Sequence, residues 1–277
     1  MAVTVEQLQE ALDARYRVGH KIGRGAMATV FLAWAVEDDR QVAIKVLRPE
    51  FAMTMGSERF HREIEILHQL DHPNILPLIE SNEAGSLLYY VTPYATGDLE
   101  GRLADAPQLP LDDALEITRQ VAAALDYAHE HNVLHRDVKP GNILFDGNRV
   151  MVCDFGIARA IASAGGDSLS SSGLIIGTPQ YMSPEQAQHD KEIDGRADIY
   201  SLASVLYEML VGQPPFTGPT VQAVLSRITK ERPPAIRVVR PDVPEHVEAA
   251  IYAALAKRPE ERPARGRDFT RRLQARG

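Results

Sequence analysis

The stretch HRDVKPGNILFDGNRVMVCDFG spans residues 135–156 and indicates the fold more clearly than any other part of the chain. Two short apolar runs, 143–145 and 150–152, are separated by an Asp-Gly-Asn turn, which predicts a β-hairpin. Three side chains with oxygen acceptors flank this hairpin: Asp137, Asn142 and Asp154. A hard cation prefers oxygen ligands of this kind. The stretch therefore predicts a cation site at one end of a hairpin.

Composition is typical of a soluble globular protein. Of the 277 residues, 44% are hydrophobic and 25% are charged. No apolar stretch approaches the roughly 18 residues that a membrane-spanning helix needs. The formal net charge of −8 argues against binding nucleic acid through phosphate contacts and favours basic partners. The single cysteine, Cys153, excludes an intrachain disulfide and fits a reducing compartment.

The hydrophobic pattern divides the chain into a strand-rich first third and a helix-rich remainder. Thr4 and Gln7 have the spacing of a capping box, which predicts a short leading helix. A further helix is predicted over residues 57–70, where apolar residues fall on one face. A Gly/Ser-rich stretch at 163–173 predicts a loop. The predicted strands of the first third are 15–22, 28–34, 41–47, 74–80 and 86–94.

A glycine-rich segment, GRGAMATV at residues 23–30, lies between two predicted strands. Its glycines allow a tight hairpin turn whose backbone can approach a phosphate closely. A dinucleotide-binding motif is not indicated, because no helix is predicted to follow and Ala28 occupies the third glycine position. Taken alone, the segment fits a glycine-rich turn without a ligand equally well.

The strand around VAIK, residues 42–45, places a lysine in an apolar run. Alternation puts Ala43 and Lys45 on one face, and we expect both faces to be covered. Glu63 lies within the apolar stripe of the following helix, and either charge is costly to bury alone. We expect Lys45 and Glu63 to form an ion pair. The alternative is that Lys45 extends to solvent while Glu63 lies at the edge of the core.

These motifs occur together in the order and spacing of a known signature set. GRGAMATV, VAIK, Glu63 on a helix, HRDVKPGN, DFG and SPE follow one another along the chain. Over residues 16–273 the sequence resembles a protein kinase catalytic domain of the bacterial, eukaryotic-like (Hanks-type) Ser/Thr class. The resemblance implies a bilobal α+β fold across 1–277. It would have a leading helix (1–14), a small antiparallel β-sheet lobe with one key helix and the hinge (15–95), and a larger helical lobe (96–277).

The resemblance also implies binding of ATP and Mg²⁺, with Mn²⁺ as an alternative ion. Asp137 would accept the proton of the substrate hydroxyl, and Lys139 would contact the transferred phosphate. Lys45, held by Glu63, would contact the α- and β-phosphates. The metal ligands would be Asn142 and Asp154. The nucleotide would be bound by Ile22, Gly23, Arg24, Gly25, Ala26, Met27, Ala28, Val30, Ala43, Lys45, Thr92 (the gatekeeper), Tyr94, Ala95 and Leu144.

The resemblance extends to the architecture of the helical lobe. Glu185 of SPE and Arg262 match a buried ion pair of the family. The chain departs from the usual pattern at Ala28, Ser183 and Ala203. None of these departures removes a group that does chemistry.

Regulation and partners follow from the same resemblance. Ser170 and Ser172 fall where related bacterial kinases are phosphorylated, which implies autophosphorylation between two copies in a transient homodimer. The expected substrates are proteins with Ser/Thr acceptors, and neither nucleic acid nor a membrane should contact this segment. We expect a cytoplasmic domain, and the C-terminal RRLQARG suggests a longer protein with a membrane anchor.

Two other functions compete with an active protein kinase. A pseudokinase scaffold usually lacks the lysine, the base or the metal-binding aspartate, whereas Lys45, Asp137 and Asp154 are all present. A small-molecule kinase of similar fold is disfavoured by Lys139 and by GTPQYMSPE at 177–185, which resembles a peptide-docking segment. Turnover of ATP on a basic protein would separate the three.

Overall fold

The structure is a computed structural model that describes residues 3–25, 28–155 and 179–275. It leaves out the side chains of Asp13 and of several residues between 54 and 66, Glu63 among them. Four predicted site residues lie outside the described residues: Ala26, Met27, Ser170 and Ser172. The described chain forms two compact units. The first unit comprises 3–71 and 76–95, and the second comprises 72–75, 96–155 and 179–275.

The first unit contains a five-stranded antiparallel sheet in the order β1-β2-β3-β5-β4. This sheet confirms the β-rich first third. Its strands are β1 (Tyr16–Arg24), β2 (Ala28–Ala35), β3 (Gln41–Leu47), β4 (Glu80–Ala84) and β5 (Leu87–Pro93). The helices described in this unit are α1 (Val5–Ala11), α2 (Pro49–Met55) and α3 (Ser57–His68). The predicted capping box begins α1, since Thr4 and Gln7 exchange side-chain and backbone hydrogen bonds.

Helices cover both faces of β3. One buried cluster joins α1 to one face of the strand and includes Leu8, Leu12, Val42, Ile44 and Val46. A second buried cluster joins α3 to the sheet and includes Leu47, Phe60, Ile64 and Tyr90. Because alternate residues of a strand point the same way, Lys45 shares the face of Leu47. The expectation that both faces of this strand are covered is therefore confirmed.

One predicted strand is wrong. Residues 74–80 were expected to form a strand, but the strand begins only at Glu80. Pro77 has no backbone N–H to give to a sheet, and the carbonyl of Asn74 accepts a hydrogen bond from Val152 of the second unit's hairpin instead. Helix α2 was not predicted, although Pro49 at its first position is a helix-start signal.

The second unit is largely helical and contains a three-stranded sheet in the order β6-β7-β8. The strands are β6 (Gly97–Asp98), β7 (Ile143–Asp146) and β8 (Arg149–Val152). Its described helices are α4 (Leu99–Asp105), α5 (Leu111–Glu130), α6 (Pro184–Ala187), α7 (Arg196–Val211), α8 (Val221–Lys230), α9 (Ile236–Val239), α10 (Glu245–Ala254) and α11 (Gly266–Gln274). The predicted hairpin is confirmed as the antiparallel pair β7 and β8.

Helix α7 forms the centre of the second unit. It is apolar on all sides, and nearly all of its residues are buried, among them Ile199, Leu202 and Leu206. Such a helix needs partners all round, and α5, α9 and α10 pack against it. Within the part of the chain that the structure describes, no helix combines the length and apolar character needed to cross a bilayer.

Candidate active site

The hairpin brings two of the predicted metal ligands to its open end. Ile143 pairs with Val152, and the backbone N–H of Cys153 donates to the carbonyl of Asn142 at 3.0 Å. Asp154 follows directly, with the positive φ of 65° that is uncommon outside glycine. The arrangement sets an amide side chain and a carboxylate beside the same end of the hairpin.

The acidic group Asp137 lies in the loop that precedes the hairpin and contacts two polar side chains. Its Oδ2 is 2.7 Å from Nζ of Lys139 and 3.2 Å from Nδ2 of Asn142. Asn142 also donates to the backbone carbonyl of Asp137 at 2.8 Å. About a quarter of each side chain is exposed in the Asp137–Lys139 pair, at 24% and 26%. The pair is thus both ordered and open to a reactant.

A buried histidine ties this loop to the residues around Asp154. Nε2 of His135 lies 2.8 Å from the carbonyl of Cys153, so this nitrogen carries the proton and donates. Nδ1 then accepts a hydrogen bond from the backbone N–H of Asp137 at 3.2 Å. The ring is fully buried and packs against Phe155 with ring centroids 4.7 Å apart. One neutral imidazole therefore holds the two acidic segments together.

Asp198 binds the backbone of this loop. It was not identified as a site residue from the sequence. Its carboxylate accepts hydrogen bonds from the backbone N–H groups of His135 and Arg136 at 2.9 and 2.7 Å. It also lies 2.7 Å from Nε2 of His129. Arg136 has a positive φ of 67°, which these bonds stabilise. Burial has the largest single effect on the pKa of Asp198 and raises it, but the hydrogen bonds from His129 and from the His135 backbone act together with electrostatic attraction to outweigh burial, so the pKa lies below its ordinary value.

The signal for Asp198 is present in the sequence. Asp198 lies in the first turn of a helix that is otherwise apolar on all sides. Burying a carboxylate there is costly unless a specific partner binds it. The sequence does not say that the partners are two backbone amides 62 and 63 residues away. The side chain of His129 contacts this same carboxylate.

The segment that resembles a peptide-docking platform is fixed to the same loop. Nε2 of Gln186 donates to the carbonyl of Arg136 at 2.8 Å. The hydroxyl of Tyr181 donates to Glu208 at 2.6 Å, while Ser201 donates to the carbonyl of Tyr181. Burial raises the pKa of Glu208 above its ordinary value, although the Tyr181 hydroxyl opposes this. The segment around residue 181 is therefore held in a defined position beside the loop.

The predicted ion pair of the helical region is confirmed. The guanidinium of Arg262 donates two parallel hydrogen bonds of 2.7 Å to the carboxylate of Glu185. The Arg262 side chain is fully buried, and its remaining donors reach the carbonyls of Arg196, Ala256 and Lys257. Every donor has an acceptor, as a buried guanidinium requires.

In the first unit, the glycine-rich segment is the turn between β1 and β2. Gly23 pairs with Val30, and the N–H of Gly25 donates to the carbonyl of Ala28 at 2.9 Å. The predicted nucleotide-binding residues of this unit are distributed over the sheet. They are Ile22, Gly23 and Arg24 on β1, Gly25 in the turn, Ala28 and Val30 on β2, Ala43 and Lys45 on β3, Thr92 on β5, and Tyr94 and Ala95 just after it. Leu144 belongs to β7 of the second unit.

Lys45 is only 8% exposed, and its Nζ lies 5.8 Å from the centre of the Tyr90 ring. Tyr90 belongs to the cluster that α3 shares with the sheet. The Glu63 side chain lies outside the described residues, so the Lys45–Glu63 ion pair stays a prediction. Thr92 is paired with Ala43 and is 5% exposed, with no hydrogen-bond partner for its Oγ1 among the described residues.

Asn142 and Asp154 fit Mg²⁺ by the chemistry of their oxygens. Among the residues that the structure describes, His, Cys, Asp and Glu form no group of three that could hold a metal ion. Mg²⁺ usually binds to one or two protein groups and completes its shell with water and substrate phosphates.

An antiparallel sheet unit followed by a helical unit, with an Asp-Lys-Asn loop beside a hairpin, defines the protein kinase class. The sequence supports this assignment independently, because residues 16–272 match the family described as protein kinase domain. The chain belongs to the protein kinase family.

Its relatives are bacterial serine/threonine-protein kinases. PknB of Mycolicibacterium smegmatis is 40% identical over 259 residues, covering 91% of this chain and 41% of the relative. PknA of Corynebacterium glutamicum is 40% identical over 237 residues, covering 83% of this chain and 50% of the relative. The chain thus spans between two fifths and half of the length of these relatives. The resemblance inferred from the motifs is confirmed.

Solved structures show the same fold. The kinase domain of Mycobacterium tuberculosis PknI superposes with a TM-score of 0.73 at 30% identity, covering 98% of this chain and 98% of the other. Rad53 1-466 in complex with AMP-PNP gives a TM-score of 0.78 at 25% identity, covering 94% of this chain and 65% of the other. The expected α+β kinase fold is confirmed.

Proposed function

We propose that this chain transfers the γ-phosphate of ATP to Ser and Thr hydroxyls of proteins. The observation that carries the proposal is the loop in which Asp137 lies 2.7 Å from Lys139 and within hydrogen-bonding distance of Asn142. Phosphoryl transfer asks the protein mainly to position reactants and to neutralise charge. A carboxylate, an ammonium and a metal-binding amide in one ordered loop supply those functions.

In this reaction Asp137 accepts the proton of the acceptor hydroxyl and orients that oxygen. Lys139 neutralises charge on the phosphoryl group in transfer. Asn142 and Asp154 would hold Mg²⁺, and the ion would supply positive charge to neutralise the phosphates. The buried His135 keeps these groups in register, since it is bonded to the backbone on both sides of them.

The first unit holds the nucleotide. The turn between β1 and β2 covers the phosphates with its backbone N–H groups, and Lys45, held by Glu63, contacts the α- and β-phosphates. Thr92, Tyr94 and Ala95 border the adenine. The relative Rad53, whose structure contains AMP-PNP, supports nucleotide binding by this fold.

Two observations support Ser and Thr as the phosphate acceptors. Lys139 within HRDVKPGN resembles Ser/Thr rather than Tyr kinases, and the relatives are named serine/threonine-protein kinases. The ordered segment around Tyr181, bonded to Ser201 and Glu208, supports a peptide as the acceptor. We also propose that the chain acts in the cytoplasm, where ATP is available.

Acceptor competition tests the proposal. Radiolabelled ATP and Mg²⁺ are offered together with a basic protein and with an aminoglycoside, and the labelled protein is hydrolysed for phosphoamino-acid analysis. We expect phosphoserine and phosphothreonine and no labelled aminoglycoside. Labelled aminoglycoside would assign the chain to the small-molecule kinases, and nucleotide binding without transfer would assign it to the pseudokinases.

A further inference from the structure

The leading helix α1 lies outside the family match, which begins at residue 16, yet it is built into the first unit. Leu8 and Leu12 are 0% and 1% exposed and belong to the same cluster as Ile44 of β3. Burial of these two leucines holds the helix against the sheet. A segment that was absent from the signature motifs is therefore part of the sheet's packing.

A side chain of α1 also bonds directly to the backbone of β1. Oε1 of Gln9 accepts a hydrogen bond from the N–H of Val18 at 2.7 Å, and its Nε2 donates to the carbonyl of Tyr16 at 2.9 Å. β1 is the edge strand of the sheet, so these two backbone groups have no neighbouring strand on that side among the described residues. The amide of Gln9 makes the pair of bonds that another strand would make.

The pairing of β1 with β2 becomes irregular just after this contact. The register between β1 and β2 shifts between Val18 and Lys21 and again between Lys21 and Gly23. Beyond those shifts lie Gly23, Arg24 and the glycine-rich turn. Val18, whose N–H is bonded to Gln9, is therefore the last regularly paired residue of β1 before the irregular stretch.

We propose that Gln9 is a positioning residue for the nucleotide: it clamps β1 so that the last residues of that strand, Ile22 to Arg24, are held where they can contact the nucleotide. The inference rests on the proposed function for the identity of the ligand. The clamp itself rests on the two hydrogen bonds and on the buried leucines of α1. Gln9 touches no reactant and acts only through the strand.

The variant Gln9→Met tests the clamp because it keeps the length and apolar stem of the side chain while removing both hydrogen bonds. The matched control is Glu10→Gln, an exposed change on the same helix. Affinity for AMP-PNP with Mg²⁺ is measured by calorimetry, and KM for ATP and kcat are measured with a protein acceptor. Amide exchange is followed over residues 16–25.

A spectroscopic readout is also available. Trp34 is the only tryptophan, and it lies across β1, since a Cβ placed on Gly19 would be 2.6 Å from its ring. Its emission therefore reports the position of β1 on β2.

For Gln9→Met we expect KM for ATP and the dissociation constant of AMP-PNP to rise about three- to tenfold, with kcat changed by less than about twofold. Exchange of residues 16–25 should accelerate, and Trp34 emission should shift. Glu10→Gln should match the wild type in all four measurements. A Gln9→Met protein that melts earlier but binds nucleotide as the wild type does would show a purely structural contact and overturn the proposal.

The two proposals fail in different ways. If the wild type binds AMP-PNP but transfers no phosphate, the proposed function is wrong, and the binding comparison still decides the clamp. If the wild type transfers phosphate and Gln9→Met leaves KM and exchange unchanged, the clamp is wrong and the proposed function stands. A fall in kcat alone, with unchanged nucleotide affinity, would also contradict the clamp.

Discussion

His135, Asp137 and Lys139 show how much a single residue's role depends on its immediate bonds. The carboxylate of Asp137 is paired with an ammonium 2.7 Å away, and its backbone is bonded to a buried imidazole. Asp137 thus contacts Lys139 through its side chain and His135 through its backbone. Because His135 holds the backbone of Asp137, removal of the Lys139 ammonium should leave Asp137 in place.

Lys139→Met should lower kcat about 100-fold or more, because a charge aimed at the transferred phosphate is lost from the transition state. KM for ATP should change little, since Lys139 is not among the residues proposed to hold the nucleotide. The control is Lys191→Met, which removes an exposed lysine of the same unit. Steady-state kinetics at saturating protein acceptor measure both. Equal kcat for the two variants would remove Lys139 from the mechanism.

Asp198 gives a prediction of pH dependence. Its pKa is lowered in the folded state, so its contribution to stability is fully present above its unfolded-state pKa of about 3.9 and is lost as the pH falls through the folded-state value. Asp198→Asn should cost about 2 kcal/mol of unfolding free energy at neutral pH, and its difference from the wild type should narrow below pH of about 4. Urea unfolding across that range measures it. A constant difference down to pH of about 3 would show that Asp198 carries no such linkage.

At the scale of elements, the buried pair between Arg262 and Glu185 joins the segment that begins α6 to the one that precedes α11. Arg262→Met should lower the free energy of unfolding by about 3–5 kcal/mol, because it leaves a buried carboxylate without a counter-ion. Arg265→Met is the matched control, since Arg265 is 58% exposed and lies 3.7 Å from Glu130. That variant should change stability by about 0.5 kcal/mol at most.

Denaturant unfolding of the whole chain, followed by far-ultraviolet circular dichroism, measures both variants. The double variant Glu185→Leu/Arg262→Met should recover much of the loss, because it removes the unpaired charge. A double variant as unstable as the single one would show that shape, rather than charge, makes the pair important.

The same scale shows what the sequence could and could not predict. Elements with a clear period were found, as the β7–β8 hairpin and α3 illustrate. The strand expected over 74–80 failed partly for a local reason, since Pro77 cannot donate to a sheet, and partly because the carbonyl of Asn74 bonds to Val152 of β8, which no local pattern encodes. Asp198 carries a local signal, a carboxylate in an otherwise apolar helix, but its partners lie more than sixty residues away in the chain and could not be predicted. The buried ion pair was found only through resemblance.

For the whole molecule, the net charge of −8 leads us to expect basic rather than acidic protein substrates, which stays a prediction. Regulation by the segment that contains Ser170 and Ser172 stays a prediction, since these residues lie outside the described part of the chain. The physical basis for this regulation is Arg136, which directly precedes Asp137 in the sequence. Its guanidinium would attract a phosphate of about −1.5 to −2 charges.

We predict that the wild type autophosphorylates at Ser170 and Ser172, between two copies in a transient dimer, and that this raises its activity on added protein. Intact-mass spectra before and after ATP should show phosphate gained by the wild type and less by Ser170→Ala/Ser172→Ala. The control variant is Ser163→Ala/Ser168→Ala, which changes serines of the same segment. If the Ser170/Ser172 variant matches the wild-type rate on an added substrate, the switch is absent even though the kinase assignment survives.

The central claim is that the loop around Asp137 catalyses transfer of phosphate from ATP to protein. Asp137→Asn tests it most directly, because the change keeps the shape of the side chain and removes the proton acceptor. Asp146→Asn, an exposed change at the end of β7, is the control. We predict that Asp137→Asn binds AMP-PNP like the wild type but transfers radiolabelled phosphate at least about 100-fold more slowly, while the control is unaffected. Transfer by Asp137→Asn at the wild-type rate would contradict the account.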